Sequence, residues 1–219
     1  MGISSVLALI RKEASLEWRQ KTAFGGVMLY LVSTVFVCYL SFSGIIPDRT
    51  WNALFWIIML FASFNAILKG FIQEGSGRLV WYYTLVPAQV LLNAKIIYNA
   101  LVMVVLSLLG WLVFVVFMGD PIQNHSLFFT GMLLGISGLS AVLTMVSAIA
   151  GKARNNFTLM GVLSFPLVLP QILVLIRVSG AAIQGEALLS HWQGLLVLLL
   201  LTGLGIVLAN LLFPYIWRE

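Results

Sequence analysis

Charge is what this sequence has least of. Twelve basic and seven acidic side chains are spread over 219 residues, of which 61% are hydrophobic, and the mean hydropathy is +1.06. A water-soluble helix or strand needs a polar face, and long stretches of this chain offer none. Cysteine is nearly absent as well. Cys38 stands alone, so no intrachain disulfide can form, and its place inside an apolar run reads as a small buried hydrophobe. No G-x-x-x-x-G-K-[ST] motif occurs, which excludes a Walker-type ATP site. His125 and His191 are the only histidines, and no His/Cys set has metal-ligand spacing. No Ser/His/Asp set falls in one compartment, so the chain is read as non-enzymatic by itself, with no metal and no directly bound cofactor.

What the chain has instead is apolar length. About 18 residues suffice to cross roughly 30 Å of hydrocarbon as a helix. Six such runs are present, at about 23–43, 51–68, 96–118, 126–150, 157–176 and 192–216. The fold class is therefore all-α, a single polytopic membrane domain with six transmembrane helices over residues 1–219. No run carries a charged residue near its middle, where proton- or ion-coupled carriers need one. Energy for any transport then comes from another subunit.

The few charges set the orientation. With a cytoplasmic N-terminus, Arg11, Lys12, Arg19, Lys21, Lys69, Arg78, Lys95, Lys152, Arg154 and Arg218 lie inside, and only Arg49 and Arg177 lie outside. Lys and Arg in short loops decide topology, so both termini are placed in the cytoplasm. The net charge of +5 suits anionic lipid and gives no reason to invoke nucleic acid. The first 22 residues are too charged for the apolar core of a cleavable signal peptide. Ile3, Val6, Leu7, Ile10, Ala14 and Trp18 recur there at helical spacing, which predicts an interfacial amphipathic helix over residues 1–22. A solvated helical tail is the plainer alternative.

A second polar stretch runs from Lys69 to Lys95. Gly75 and Gly77 end the second span, Ser76 can cap a new short helix, and Pro87 stops or bends it. Leu79, Tyr82, Tyr83 and Val86 would share one face. The spacing predicts a cytoplasmic helix within 73–90, read either as an aromatic-anchored loop or as a docking helix for a soluble partner. Its candidate docking residues are Glu74, Gly75, Arg78, Trp81, Tyr82, Tyr83, Pro87 and Lys95, since aromatics and Arg are common interface anchors.

This plan resembles an ABC-2-type exporter permease. More narrowly, Glu74-Gly75, the Leu79–Pro87 segment, Lys95-Ile-Ile-Tyr-Asn99 and Phe165-Pro-Leu-Val-Leu-Pro170 resemble the B subunit of the cytochrome c maturation haem exporter, the CcmB family. Val80 stands where many relatives carry an acidic residue. The resemblance implies a multi-pass protein of the bacterial inner membrane. It would partner an ABC ATPase subunit, through which ATP acts, and other cytochrome c maturation membrane subunits. Haem would be transported or handled rather than held as a cofactor, and loop placement of both histidines favours that reading. An ABC-2 permease for a lipid, polysaccharide or drug is the alternative in the same class. A non-transporting scaffold of a cytochrome c assembly complex is the alternative in another.

Within the spans, Pro166 and Pro170 lie one turn apart with Gln171 beside them. Each proline removes a backbone hydrogen bond, which marks a gate or kink, or a broken re-entrant segment over about 166–191. Gly131-x-x-x-Gly135, with Gly138 following, matches the close-packing motif. Packing within the chain is the first reading of it and a homodimer seam the second. Asn65 and Asn210 are expected to bond between helices.

Overall fold

In a computed structural model the residues described are 3–19, 22–42, 46–67, 87–152 and 157–218, and they are almost wholly helical. We number the helices α1 (Ile3–Arg19), α2 (Thr22–Ser41), α3 (Asp48–Ile67), α4 (Ala88–Met118), α5 (His125–Lys152), α6 (Phe157–Ile183) and α7 (Trp192–Arg218), with a 3-10 turn at Leu188–His191 before α7. No strand occurs among the described residues. The described parts of all six apolar runs are thus helical but for Phe42, a bend at the end of the first. Among the described residues five helices are long and apolar enough to cross a membrane, α3 to α7, and α2 contributes a shorter apolar helix, Gly25–Ser41. The chain is a multi-pass helical membrane protein.

Two helices outrun their apolar cores. α4 begins at Ala88, so Lys95 lies inside the helix and not in the loop where its charge had put it. α6 runs to Ile183 and carries the exposed Arg177 near its end. A helix satisfies its own backbone whatever its side chains, so pairing or surface exposure lets it continue through a charge. α6 also runs unbroken through Pro166 and Pro170, and the turn comes only at Gln184–Gly185. Gly119 and Gly185, both at φ 77°, close α4 and α6 in the left-handed conformation that favours glycine.

α5 is the axis of the bundle. Of its most apolar eighteen-residue window 78% is buried, against 17% for α7, whose Leu199, Leu200, Leu204, Val207 and Leu211 face outward. Helices meet at two ends. At the loop end the Trp51 indole donates to Gly119 O (3.2 Å), and Asn124 reaches the α6 terminus through its N–H to Ala182 O (2.9 Å) and its side-chain amide to Glu186 O (2.7 Å). At the terminal end α1 packs on the start of α4, and Asn210 of α7 reaches Asn93 of α4.

Candidate functional site

The proposed docking residues Glu74, Gly75, Arg78, Trp81, Tyr82 and Tyr83 lie outside the described residues, as does most of the 73–90 segment. Pro87 is described, exposed, and precedes α4. Lys95 does not share its exposure. It is buried two turns into α4, and its Nζ is 3.6 Å from Glu13 Oε1 of α1. Glu13 in turn holds Lys12 at 3.1 Å. The face of α1 that packs carries Val6, Leu9, Ile10 and Glu13, while Leu7 and Ala14 of the expected apolar stripe are exposed.

The interior of the bundle carries three polar seams, each fixed by helix register. The first surrounds Gln171. Pro166 and Pro170 are exposed on the outer side of α6, and Gln171 alone of the three turns inward. Its amide donates to Gly135 O of α5 (3.3 Å) and to Thr202 Oγ1 of α7 (3.4 Å). The Thr202 hydroxyl has carbonyls at 2.8 Å (Leu198) and 3.1 Å (Leu134), one of which takes its proton. Three helices are joined at one amide. The glycines of α5 make room for this contact: a Cβ at Gly131 would lie 2.8 Å from Val178, one at Gly135 would enter the Leu175 side chain, and one at Gly138 would strike Gln171 and come within 2.6 Å of Thr202. The motif thus serves packing inside the chain.

The second seam joins α3 to α6 near the loop end. The Trp56 indole donates to Ser179 Oγ (2.7 Å), and Asn52 Nδ2 donates to Ile176 O (2.8 Å). Ser179 Oγ is 2.7 Å from Asn52 Oδ1, 2.7 Å from Leu175 O and 3.3 Å from Ile176 O, so its single proton has three acceptors within reach. Beside it Trp51, Phe55, Phe114 and Phe128 stack edge and face, with Phe55 centroids 5.2 Å from Phe114 and 5.7 Å from Phe128. Such aromatic pairs add to the area they bury.

The third seam lies toward the terminal end, between α4, α5 and α7. Ser140 donates to Ile96 O (3.0 Å), Asn99 to Thr144 Oγ1 (2.8 Å), and Asn210 to Asn93 Oδ1 (3.0 Å). Ser140, Thr144 and Ser147 form a hydroxyl stripe at i, i+4 and i+7 that faces the interior of the bundle. That spacing was the signal for this seam in the sequence. Asn210 therefore bonds between helices as expected, but Asn65 does not: it is exposed and its amide returns to Phe61 O of its own helix (3.0 Å). A polar side chain near a helix end meets its own i−4 carbonyl more readily than a distant helix.

Both histidines sit at the loop end beside carboxylates five residues earlier in the chain. His125 Nε2 is 2.9 Å from Asp120 Oδ2, and His191 Nε2 meets Glu186 Oε2. No group of three His, Cys, Asp or Glu side chains that could hold a metal occurs among the described residues.

The family model described as CcmB protein matches residues 4–215. No curated protein matches the chain. With nearly its whole length matched, the chain belongs to the CcmB family, whose members are membrane permease subunits in haem transport and cytochrome c biogenesis rather than enzymes.

Proposed function

We propose, from this membership of the CcmB family, that the chain is the permease of an ATP-driven complex that exports or delivers haem for cytochrome c maturation. The observation that carries the reading is the match across residues 4–215 on a helical bundle of membrane-spanning length. The chain has no Walker motif, so ATP is hydrolysed by a separate ABC subunit. Asn52 of α3 and Ile176 of α6 are bonded, so the described parts of the fold bring Arg49 and Arg177 to the loop end, while Arg11, Lys12 and Lys95 gather at the terminal end. By the positive-inside rule the terminal end is cytoplasmic and the loop end is outside, in a bacterial inner membrane crossed six times. Reporters fused at residues 152–155 or after Glu219 then report cytoplasm, and one at residues 120–125 reports the outside. An exported fusion at 152–155 refutes the six-span topology.

Residues 74–87 receive the ATPase in this reading. Arg78→Glu with Tyr82→Ala weakens ATPase association by about 1 kcal/mol or more, the usual size for an interface residue that matters. Abundance in the membrane stays normal, since neither residue lies in an apolar run. Unchanged copurification of the ATPase and unchanged cytochrome c maturation in a well-expressed double variant would refute the docking.

A further inference from the structure

α3 and α6 run in opposite directions along the second polar seam, and helix register sorts the side chains of each. On α3, Trp51 and Phe55 enter the aromatic core and Asn52 and Trp56 bond to α6. Arg49, Ala53 and Ile57 come next around that helix, with Arg49 and Ile57 exposed and Ala53 half-buried. On α6, Leu175 and Val178 press on the glycines of α5, while Ile176 O and Ser179 take the bonds from α3. Leu169, Leu173 and Arg177 come next there, all exposed. Both rows fall on the side of the seam turned away from α5, and each is headed by an arginine. The bond from Asn52 to Ile176 O (2.8 Å) sets their heights: Arg49 lies one turn beyond it toward the loop end, and Arg177 directly follows Ile176. Among the described residues neither guanidinium has an ion pair or a hydrogen bond, and Asp48, in the first turn of α3, pairs with neither. Arg177 stands about 9 Å short of the end of α6, at 1.5 Å per residue. An arginine on the lipid-facing side of a span is costly until water or an anion meets it, and two side by side also repel.

We propose that Arg49 and Arg177 form a binding site for an anionic phospholipid in the leaflet at the loop end. The two guanidiniums hold its phosphate, and the rows of Ala53 with Ile57 and of Leu173 with Leu169 line an acyl chain. A phosphodiester offers charged oxygens that suit the planar N–H fork of arginine, and basic pockets between spans recognise lipid head groups. Each row runs about 12 Å from its arginine, within the roughly 15 Å of hydrocarbon that one leaflet provides. A free phosphate would leave the apolar rows unused, so a lipid is the occupant that fits both parts. Which face of the bilayer this is rests on the topology proposed above; the binding does not.

The test uses the full chain with Cys38→Ser and a fluorophore at Leu173→Cys, one turn from Arg177, or at Leu204→Cys, an exposed site on α7. The protein is placed in phosphatidylcholine vesicles that hold a minor, equal fraction of dibrominated phosphatidylglycerol or dibrominated phosphatidylcholine, and quenching reports which lipid lies beside the probe. At Leu173 the brominated phosphatidylglycerol associates about fivefold or more strongly than the phosphatidylcholine, the size of one basic residue's attraction for anionic lipid. At Leu204 the two quench alike. Arg49→Gln and Arg177→Gln each bring the Leu173 preference down toward that of Leu204. Equal quenching by the two lipids at Leu173 overturns the site, and so does a preference that survives both glutamine variants. Where a variant fails to accumulate, the parent in about 1 M salt makes the comparison, because charges there are screened beyond about 3 Å. A preference unmoved by that salt overturns the site as well. No preference at Leu173, together with loss of a copurifying membrane subunit from the double variant Arg49→Gln/Arg177→Gln, overturns the lipid and puts an acidic protein segment in its place. Reporter fusions that reverse the topology while the Leu173 preference stands refute that topology and leave the site intact.

Discussion

The two ends of the bundle are held together by different means. At the loop end, α3, α4 and α5 bury Trp51, Phe55, Trp56, Phe114 and Phe128 in one aromatic mass, each nearly inaccessible. At the terminal end α4, α5 and α7 meet through amides and hydroxyls, Asn93 with Asn210, Asn99 with Thr144, and Ser140 with Ile96 O, beside the smaller cluster of Leu92, Ile96, Ala141, Ala209 and Phe213. Interlocked rings have one good arrangement. Hydrogen bonds between spans are individually weak, because unfolded helices in a membrane also find partners. The comparison teaches where the bundle is stiff and where helices can exchange partners at small cost.

The comparison breaks most readily at the rings. Phe55→Ala should destabilise the protein by about 3–5 kcal/mol, the usual cost of emptying a packed aromatic site. Reversible unfolding in bicelles measures it, and a loss under about 1 kcal/mol would remove the distinction between the ends. Gly138→Val comes next. It forces Gln171 and Thr202 apart and should cost about 1–3 kcal/mol by overpacking. Gln171→Ala in the same chain should recover part of that loss, and failure to recover any would place the strain elsewhere.

Smaller effects sharpen the contrast. A double-mutant cycle on Asn93→Leu and Asn210→Leu should give a coupling of about 0.6 kcal/mol and not above roughly 1.7. A coupling as large as the Phe55→Ala loss would make the terminal end as rigid as the loop end. Asn65→Leu should change stability by less than about 0.5 kcal/mol, because it is exposed and, among the described residues, its amide bonds back to its own helix.

The helices were legible in the sequence because hydrocarbon leaves few alternatives to an unbroken apolar helix. Their ends were not, since polarity signals loop as readily as it signals a paired side chain. Lys95 shows the difference: its partner Glu13 lies 82 positions away in the chain, and no local pattern links them. Asn93 and Asn99 were hidden likewise, their partners lying 117 and 45 positions away, whereas the glycines of α5 announced themselves at four-residue spacing. Pro166 and Pro170 were legible as residues that cannot donate, but not the outward side of α6 on which they fall. The hydroxyl stripe at Ser140, Thr144 and Ser147 was present in the letters and waited only for a partner helix to face.

The length of α4 has a mechanical consequence. Thirty-one residues rising 1.5 Å each make a rod of about 46 Å, some 15 Å more than the hydrocarbon it crosses. Tilting absorbs part of such an excess, and the remainder stands out of the oil as an overhang. The stretch that holds α1 is the first part of that rod, Val90 to Lys95. A sideways push on the overhang therefore pivots α4 about the lipid boundary, and the packed aromatic end resists it from the longer, anchored arm.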